Sequence, residues 1–278
     1  MVFSFLIRHN EEMKVTFIGN GNAQATKLYN TCLFLENNGE GMLVDGGGGN
    51  TILSLLEKNN IPLNNINHLF LTHAHIDHLL GAIWIIRRIG EEINKGNYKT
   101  NLVVHAHKEL LDLVVYFTKE TLTKKITSLY DKRIILEENK DGEGFNALGG
   151  TIMAFDIHST KLKQFGFVFN WDGKRFVDAG DEPLSTECLS LAKDADALTL
   201  EAFCLYEDRD IFHPYEKNHS TVKDNAILAQ EEGVKKLFLY HTEDRTDIST
   251  RQKRYEEEAK RYYTGEVHVP NDGDSFIL

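Results

Sequence analysis

The sequence has little of what marks secreted, membrane or scaffold-type chains. Its 278 residues include only 3 cysteines, Cys32, Cys188 and Cys204, far apart and odd in number. That argues against a disulfide framework and for a reducing, cytoplasmic compartment. Only 4 prolines occur, and no Gly/Ser/Pro-rich tract divides the chain, so nothing marks a linker. No apolar run approaches the ~20 residues needed to cross a bilayer, and Val2–Ile7 is too short for a signal h-region and follows no basic residue; no membrane association is expected. Positive charge is scarce as well, with 31 Lys and Arg against 42 Asp and Glu, a net charge of −11. Such a surface repels phosphate backbones at long range and counts against an extended nucleic-acid footprint, although not against a local basic pocket.

What remains is an ordinary globular mixture, 41% hydrophobic and 26% charged, which rules out wholesale disorder. Strand-like sequence begins at Met13, so residues 1–12 read as an appended arm. Short apolar or β-branched runs at Val15–Ile18, Thr31–Leu35, Met42–Val44, His68–Leu71 and Leu102–His105 read as strands. In the second half, Thr151–Ile157, Phe165–Phe169, Arg175–Val177, Ala197–Glu201, Lys236–Tyr240, Glu266–Val269 and Ser275–Leu278 do the same. Helical spacing is expected over Asn50–Asn59, Leu79–Ile89 (stopped by Gly90), 107–128, Leu184–Ala192, Thr221–Glu232 and Thr250–Tyr262. Strands and helices mix in both halves, so residues 13–278 are expected to form one layered α/β domain, two sheets faced by helices.

Four potential metal ligands, His73, His75, Asp77 and His78, lie within six residues between a buried-strand candidate and a helix. In an extended segment His73 and His75 point the same way, while Asp77 and His78 fall where the chain turns into the helix and can aim at a second point. Histidine with carboxylate suits Zn²⁺, with Mn²⁺ or Fe as competitors.

The segment Thr72-His73-Ala74-His75-Ile76-Asp77-His78 resembles the H-x-H-x-D-H signature of the metallo-β-lactamase superfamily, and the later motifs are similar to its ribonuclease Z branch. The resemblance runs from about residue 14 to the end and implies a four-layer αββα sandwich with a two-metal site. Carried over residue by residue, it implies His158, in Phe155-Asp156-Ile157-His158, as the third histidine of one ion, beside His73, His75 and Asp181. Asp181, in Val177-Asp178-Ala179-Gly180-Asp181, bridges to a second ion held by Asp77, His78 and His241, the last in Leu237-Phe238-Leu239-Tyr240-His241. Asp45, ahead of Gly46 to Gly49, is expected to support a ligand histidine from behind.

Two divalent ions ~3.5–4 Å apart can hold a bridging hydroxide near neutral pH, with Asp77 serving catalysis as well as binding. Glu201 and His219 resemble the family's Glu–His pair, in which the histidine protonates the leaving oxygen and the glutamate orients it. The long tRNA-gripping arm of ribonuclease Z is commonly inserted between the residues matching His158 and Asp181. Here that interval is 23 residues without proline. The expected partner is therefore a small phosphodiester, such as a cyclic nucleotide, cyclic phosphate or short oligonucleotide, rather than an extended nucleic acid. A lactone, thioester or sulfate ester hydrolase on the same metals, a tRNA 3′-processing endonuclease and a non-catalytic metal-binding regulator are the other readings. Residues 107–130 (Leu110, Leu111, Val114, Val115, Phe117, Leu122) are more apolar than one solvent-facing helix requires. They suit core packing, a lid over the metals or a homodimer face.

Overall fold

The computed structural model describes residues 13–278; the arm expected at 1–12 lies outside them. Among these residues two seven-stranded sheets form. The first contains β1 (Lys14–Gly19), β2 (Cys32–Asn37), β3 (Glu40–Val44), β4 (Ile66–Phe70), β5 (Leu102–Ala106) and β6 (Ile134–Glu138). The second contains β7 (Gly144–Ala147), β8 (Gly150–Asp156), β9 (Phe165–Trp171), β10 (Lys174–Asp178), β11 (Ala197–Glu201), β12 (Lys236–Tyr240) and β13 (Glu266–His268). The last strand, β14 (Asp274–Ile277), returns to pair antiparallel with β1. In each sheet an antiparallel meander gives way to parallel strands, β3-β4-β5-β6 in the first and β10-β11-β12-β13 in the second. The parallel strands are apolar along their length, as in Leu198-Thr199-Leu200 and Leu237-Phe238-Leu239, because both faces are covered.

The core has three apolar layers. Phe17, Phe70, Phe167, Phe169, Phe176 and Phe238 fill the space between the sheets, with Phe17 on Phe238 and Phe70 on Phe167 at centroid distances of 5.2 Å. Ile85, Ile86 and Ile89 pack one set of helices on the first sheet, and Ala226, Ala229 and Tyr255 pack the other set on the second. The expected αββα order is thus the observed one. Leu110, Leu111 and Val114 join the first helical layer, so the core reading of residues 107–130 holds for them, while Leu113 and Tyr116 of the same helix are exposed.

Four expectations differ from the structure. The helix expected over 107–128 is two helices, Lys108–Thr121 and Lys124–Thr127, parted by the extended backbone of Leu122 and Thr123. The helix after the histidine cluster spans Ile76–Asn94, passing through Gly90. That glycine is a seat for Ile126, whose Cγ2 would lie 2.8 Å from a Cβ there, and Ile89 and Ile93 keep the following turn buried. The helix expected over Leu184–Ala192 is confined to Leu189–Ala192. β6 and β7 were not foreseen; IILEE and GFNA are too short to show a period.

One close approach positions the histidine cluster. Helix Ile76–Asn94 lies directly on the loop after β3, with Gly46 N donating to His78 O (2.9 Å) and Gly81 N to Gly47 O (2.8 Å). A Cβ on Gly81 would fall 1.8 Å from Gly46 O, and one on Gly46 would fall 2.1 Å from Ala82 N. Both obstacles are backbone, so no rotamer change relieves them. Gly81→Ala is expected to cost about 3 kcal/mol in denaturant unfolding. Gly49→Ala, whose Cβ meets nothing within 4 Å, should stay within about 0.5 kcal/mol of the parent; equal effects would show that the helix does not need this approach.

Candidate metal centre

The candidate residues collect where parallel strands end, the general location of sites in such sheets. Asp45 follows β3, His73 and His75 follow β4, Asp181 follows β10, Glu201 ends β11 and His241 follows β12. Asp45, His73, Asp77, His78, Asp181, Glu201 and His241 are all buried, whereas His75 is exposed. The donors form three groups: Asp45, His73 and His78; His73, His75 and Asp181; and Asp77, His78 and His241.

Asp181 Oδ2 is the meeting point. It lies 3.6 Å from His73 Nε2, 3.4 Å from His78 Nε2 and 3.7 Å from His241 Nε2. Those gaps are too long for hydrogen bonds. They approximate the ~3.4 Å edge between ligands of a tetrahedral ion with ~2.1 Å bonds.

The other ring nitrogens explain why Nε2 of His73, His78 and His241 points inward, while His75 brings its Nδ1 to 2.8 Å from His73 Nε2. His78 Nδ1 donates to Asp45 Oδ2 at 2.7 Å. Thr72 Oγ1 gives its proton to Asp45 Oδ2 (2.7 Å) and so accepts from His73 Nδ1 (2.9 Å). Thr31 Oγ1 donates to Gly21 O (3.1 Å) and accepts from His241 Nδ1 (2.9 Å). With each Nδ1–H committed, the Nε2 lone pairs face the cluster. His78 Nε2 is buried without a hydrogen-bond partner, 3.5 Å from Asp77 Oδ2.

The charges agree. Burial pushes the His73 imidazole down to about 4 and that of His241 down to about 3, against the pull of Asp181 in both cases. Both are therefore neutral at ordinary pH, the state a metal ligand needs. Burial also disfavours a charged His78, but Asp45, Asp181 and Asp77 outweigh it and raise its proton affinity well above the usual range. Asp181 and Asp77 resist burial in turn: His73, His78 and His241 hold Asp181 far below the ordinary carboxylate range, and His78 and His241 do so for Asp77. A proton held among three carboxylates is what a divalent cation displaces. The residues thus fit a metal centre in donor type, tautomer and spacing.

His158 stands apart from this group. It is exposed, in a left-handed turn at φ 61°, and its N–H donates to Asp156 Oδ1 at 2.8 Å. That turn carries the imidazole outward, toward Glu187. The described site has no fourth ligand beside His73, His75 and Asp181. In its place Gln164, immediately ahead of β9, donates from Nε2 to Asp181 Oδ1 at 2.5 Å. Gly180 (φ 76°) admits that contact, since a Cβ there would sit 2.6 Å from Gln164 Nε2. Neither Gln164 nor Thr31 carried a sequence signal; Thr72 stood inside the motif.

Glu201 and His219 are brought together. Glu201 Oε2 and His219 Nδ1 lie 3.4 Å apart, both otherwise without partners, while Ser220 N donates to Glu201 Oε1 at 2.5 Å. Phe203 stacks on His219 at 4.9 Å, and the His241 ring lies 5.5 Å from that of His219. Burial opposes charge on His219, but Glu201 and then Asp181 raise its proton affinity, with Lys161 opposing them. Burial raises Glu201, partly offset by His219. His219, His75, Asp77, Asp181 and His241 line a single cavity of about 380 Å³. A larger depression of about 580 Å³ by Trp171, Lys174 and Lys193 lies at the opposite end of β10 and has no histidine.

Residues 13–261 match the family described as anti-Pycsar protein Apyc1. The chain belongs to that family. It is 25% identical to a ribonuclease Z of Archaeoglobus fulgidus over 308 aligned positions, covering 91% of this chain and 94% of the relative. The metallo-β-lactamase fold protein YhfI from Bacillus subtilis superposes with a TM-score of 0.76 at 19% identity, over 96% of this chain and 99% of the other. A diphosphatase of the PhnP family does so at 0.72 and 14%, over 96% and 97%. This Apyc1-family chain therefore has the metallo-β-lactamase sandwich and is related to ribonuclease Z.

Because three imidazoles converge on one carboxylate oxygen, Asp181→Ala is expected to leave a small fraction of the parent's metal content by elemental analysis and to lower the melting temperature of the metal-loaded chain. Parent-like metal content would remove Asp181 from the ligand set.

Proposed function

We propose that this Apyc1-family chain is a phosphodiesterase acting on a small phosphodiester (a cyclic nucleotide, cyclic phosphate or short oligonucleotide) with two divalent ions, Zn²⁺ or alternatively Mn²⁺ or Fe. His73, His75 and Asp181 would hold one ion, and Asp77, His78, Asp181 and His241 the other. When bound, the ions lower the pKa of water and neutralise charge on phosphoryl oxygens. Such a site needs no protein nucleophile. The leaving alkoxide needs a proton, and the observation that carries the reading is His219, backed by the buried Glu201, lining the same cavity as Asp181 and His241. His219 would deliver its proton to the leaving oxygen, and Glu201 would keep that imidazole charged and turned toward it. A lactone or thioester hydrolase on the same ligands would have less need of such a donor.

Substrate size is supported by what joins the strands. β9 and β10 are linked by Asp172 and Gly173 alone, at φ 44° and 75°, a type I′ hairpin turn. Residues 158–181 are spent on one short loop, two strands and the turn into Asp181, which leaves nothing for a projecting arm. A cavity of about 380 Å³ lies within the ~300–1,000 Å³ of small-molecule sites. The identity to ribonuclease Z favours a second reading, cleavage of a tRNA 3′ trailer. Metal-loaded protein assayed on a cyclic nucleotide, a lactone, a thioester and a trailer-bearing tRNA separates these; the highest kcat/KM is expected on the cyclic nucleotide, and its absence there with activity on tRNA would reverse the choice.

His219→Ala tests the chemistry. Hydrolysis of a diester with a poor alkoxide leaving group should fall by roughly 10²–10⁴-fold with metal content unchanged, and a p-nitrophenyl diester should suffer far less. Glu201→Gln should show the same dependence more mildly. Equal losses on both substrates would mean that His219 binds substrate instead of delivering a proton.

A further inference from the structure

We propose that Lys161 is the phosphate-anchoring residue of this cavity, binding a non-bridging oxygen of a phosphoester through its ammonium group; this rests on the phosphodiester reading. Between β8 and β9 the chain makes a short strap over residues 158–164, and Lys161 brings the cavity's only basic aliphatic side chain among its described lining residues. The other charged groups there, Asp77, Asp181 and Glu182, are acidic. On a chain of net charge −11, an anion reaching the site needs a local cation besides the metals.

The strap is fastened from inside. Glu182, buried next to Asp181, accepts from Ser159 Oγ at 2.9 Å with one oxygen and from Asn218 Nδ2 at 2.5 Å with the other. Ser159 Oγ in turn accepts from Lys161 N at 3.2 Å. One carboxylate thus ties the strap to the turn that presents His219. Lys161 spans the same gap at the cavity mouth, where its Nζ donates to the Lys217 carbonyl. It forms no ion pair among the described residues, since both Glu182 oxygens are engaged by neutral donors. Its charge is therefore not cancelled by a carboxylate, and an entering phosphoryl oxygen could exchange for the Lys217 carbonyl without breaking an ion pair. The remaining groups facing it are His219, whose protonation it opposes, and the metal-ligand carboxylates below.

Lys161→Met keeps the length of the side chain and removes the charge. On metal-loaded protein it should raise KM for bis(p-nitrophenyl) phosphate by roughly 10–100-fold, the range for losing a charge-assisted hydrogen bond, with a much smaller change in kcat. Binding of inorganic phosphate, followed by calorimetry, should weaken by the same factor, and Lys161→Arg should recover most of both. Phosphate binding unchanged in Lys161→Met would overturn the proposal. So would a loss accompanied by an equal loss in Lys161→Arg and a lower melting temperature, which would make Lys161 a staple for the strap. If the parent hydrolyses no diester yet binds phosphate through Lys161, the anion site stands and the phosphodiesterase reading fails. A parent that binds no phosphate overturns the anion site itself.

Discussion

The whole candidate metal centre depends on how closely one helix approaches one loop. Gly46 and Gly81 let the backbone of helix Ile76–Asn94 hydrogen-bond to the loop after β3. That contact sets Asp45 against Thr72 and His78. Asp45 then fixes two imidazoles, one directly and one through a hydroxyl, so that their free nitrogens face Asp181. A helix displaced by the width of a methyl group would leave Asp45 without these partners, and the buried carboxylate would lose the donors that offset its desolvation.

The second sheet completes the same arrangement from the other side. Thr31 aims His241 as Thr72 aims His73, and Tyr240 OH lies 3.0 Å from both Asp178 Oδ1 and Gly180 O beside the turn into Asp181. Burial pushes the Asp178 carboxyl up to about 6 despite the donors Thr199 and Tyr240. Buried acidic groups, Asp45, Asp77, Asp178 and Asp181, are thus in excess at the seam between the sheets. The same excess gives a single lysine at the cavity mouth its weight.

Much of this was legible in the sequence, for stated reasons. Parallel strands buried on both faces read as continuous apolar runs, so Lys236–Tyr240 and Ala197–Glu201 were found to the residue. The cluster His73–His78 was dense enough to locate a site, and Asp45, Asp181 and His241 fell at strand ends where ligands can project. What failed depended on backbone detail that spacing does not carry. The distance from His158 to Gly166 conceals a left-handed turn that swings the imidazole outward. Gln164 looks like any polar residue ahead of a strand until Gly180 makes room for it. Lys161, one of several lysines in a polar stretch, acquires meaning only when Glu182 folds the strap over the cavity.

In the proposed site Asp181 joins two ions. Crystals of the metal-loaded chain, measured at wavelengths on both sides of the metal's absorption edge, test it directly. Two anomalous peaks ~3.5–4 Å apart are expected, one beside His73 and His75 and the other among Asp77, His78 and His241, with Asp181 between them. A single peak, or two peaks that leave Asp181 Oδ2 unliganded, would contradict it.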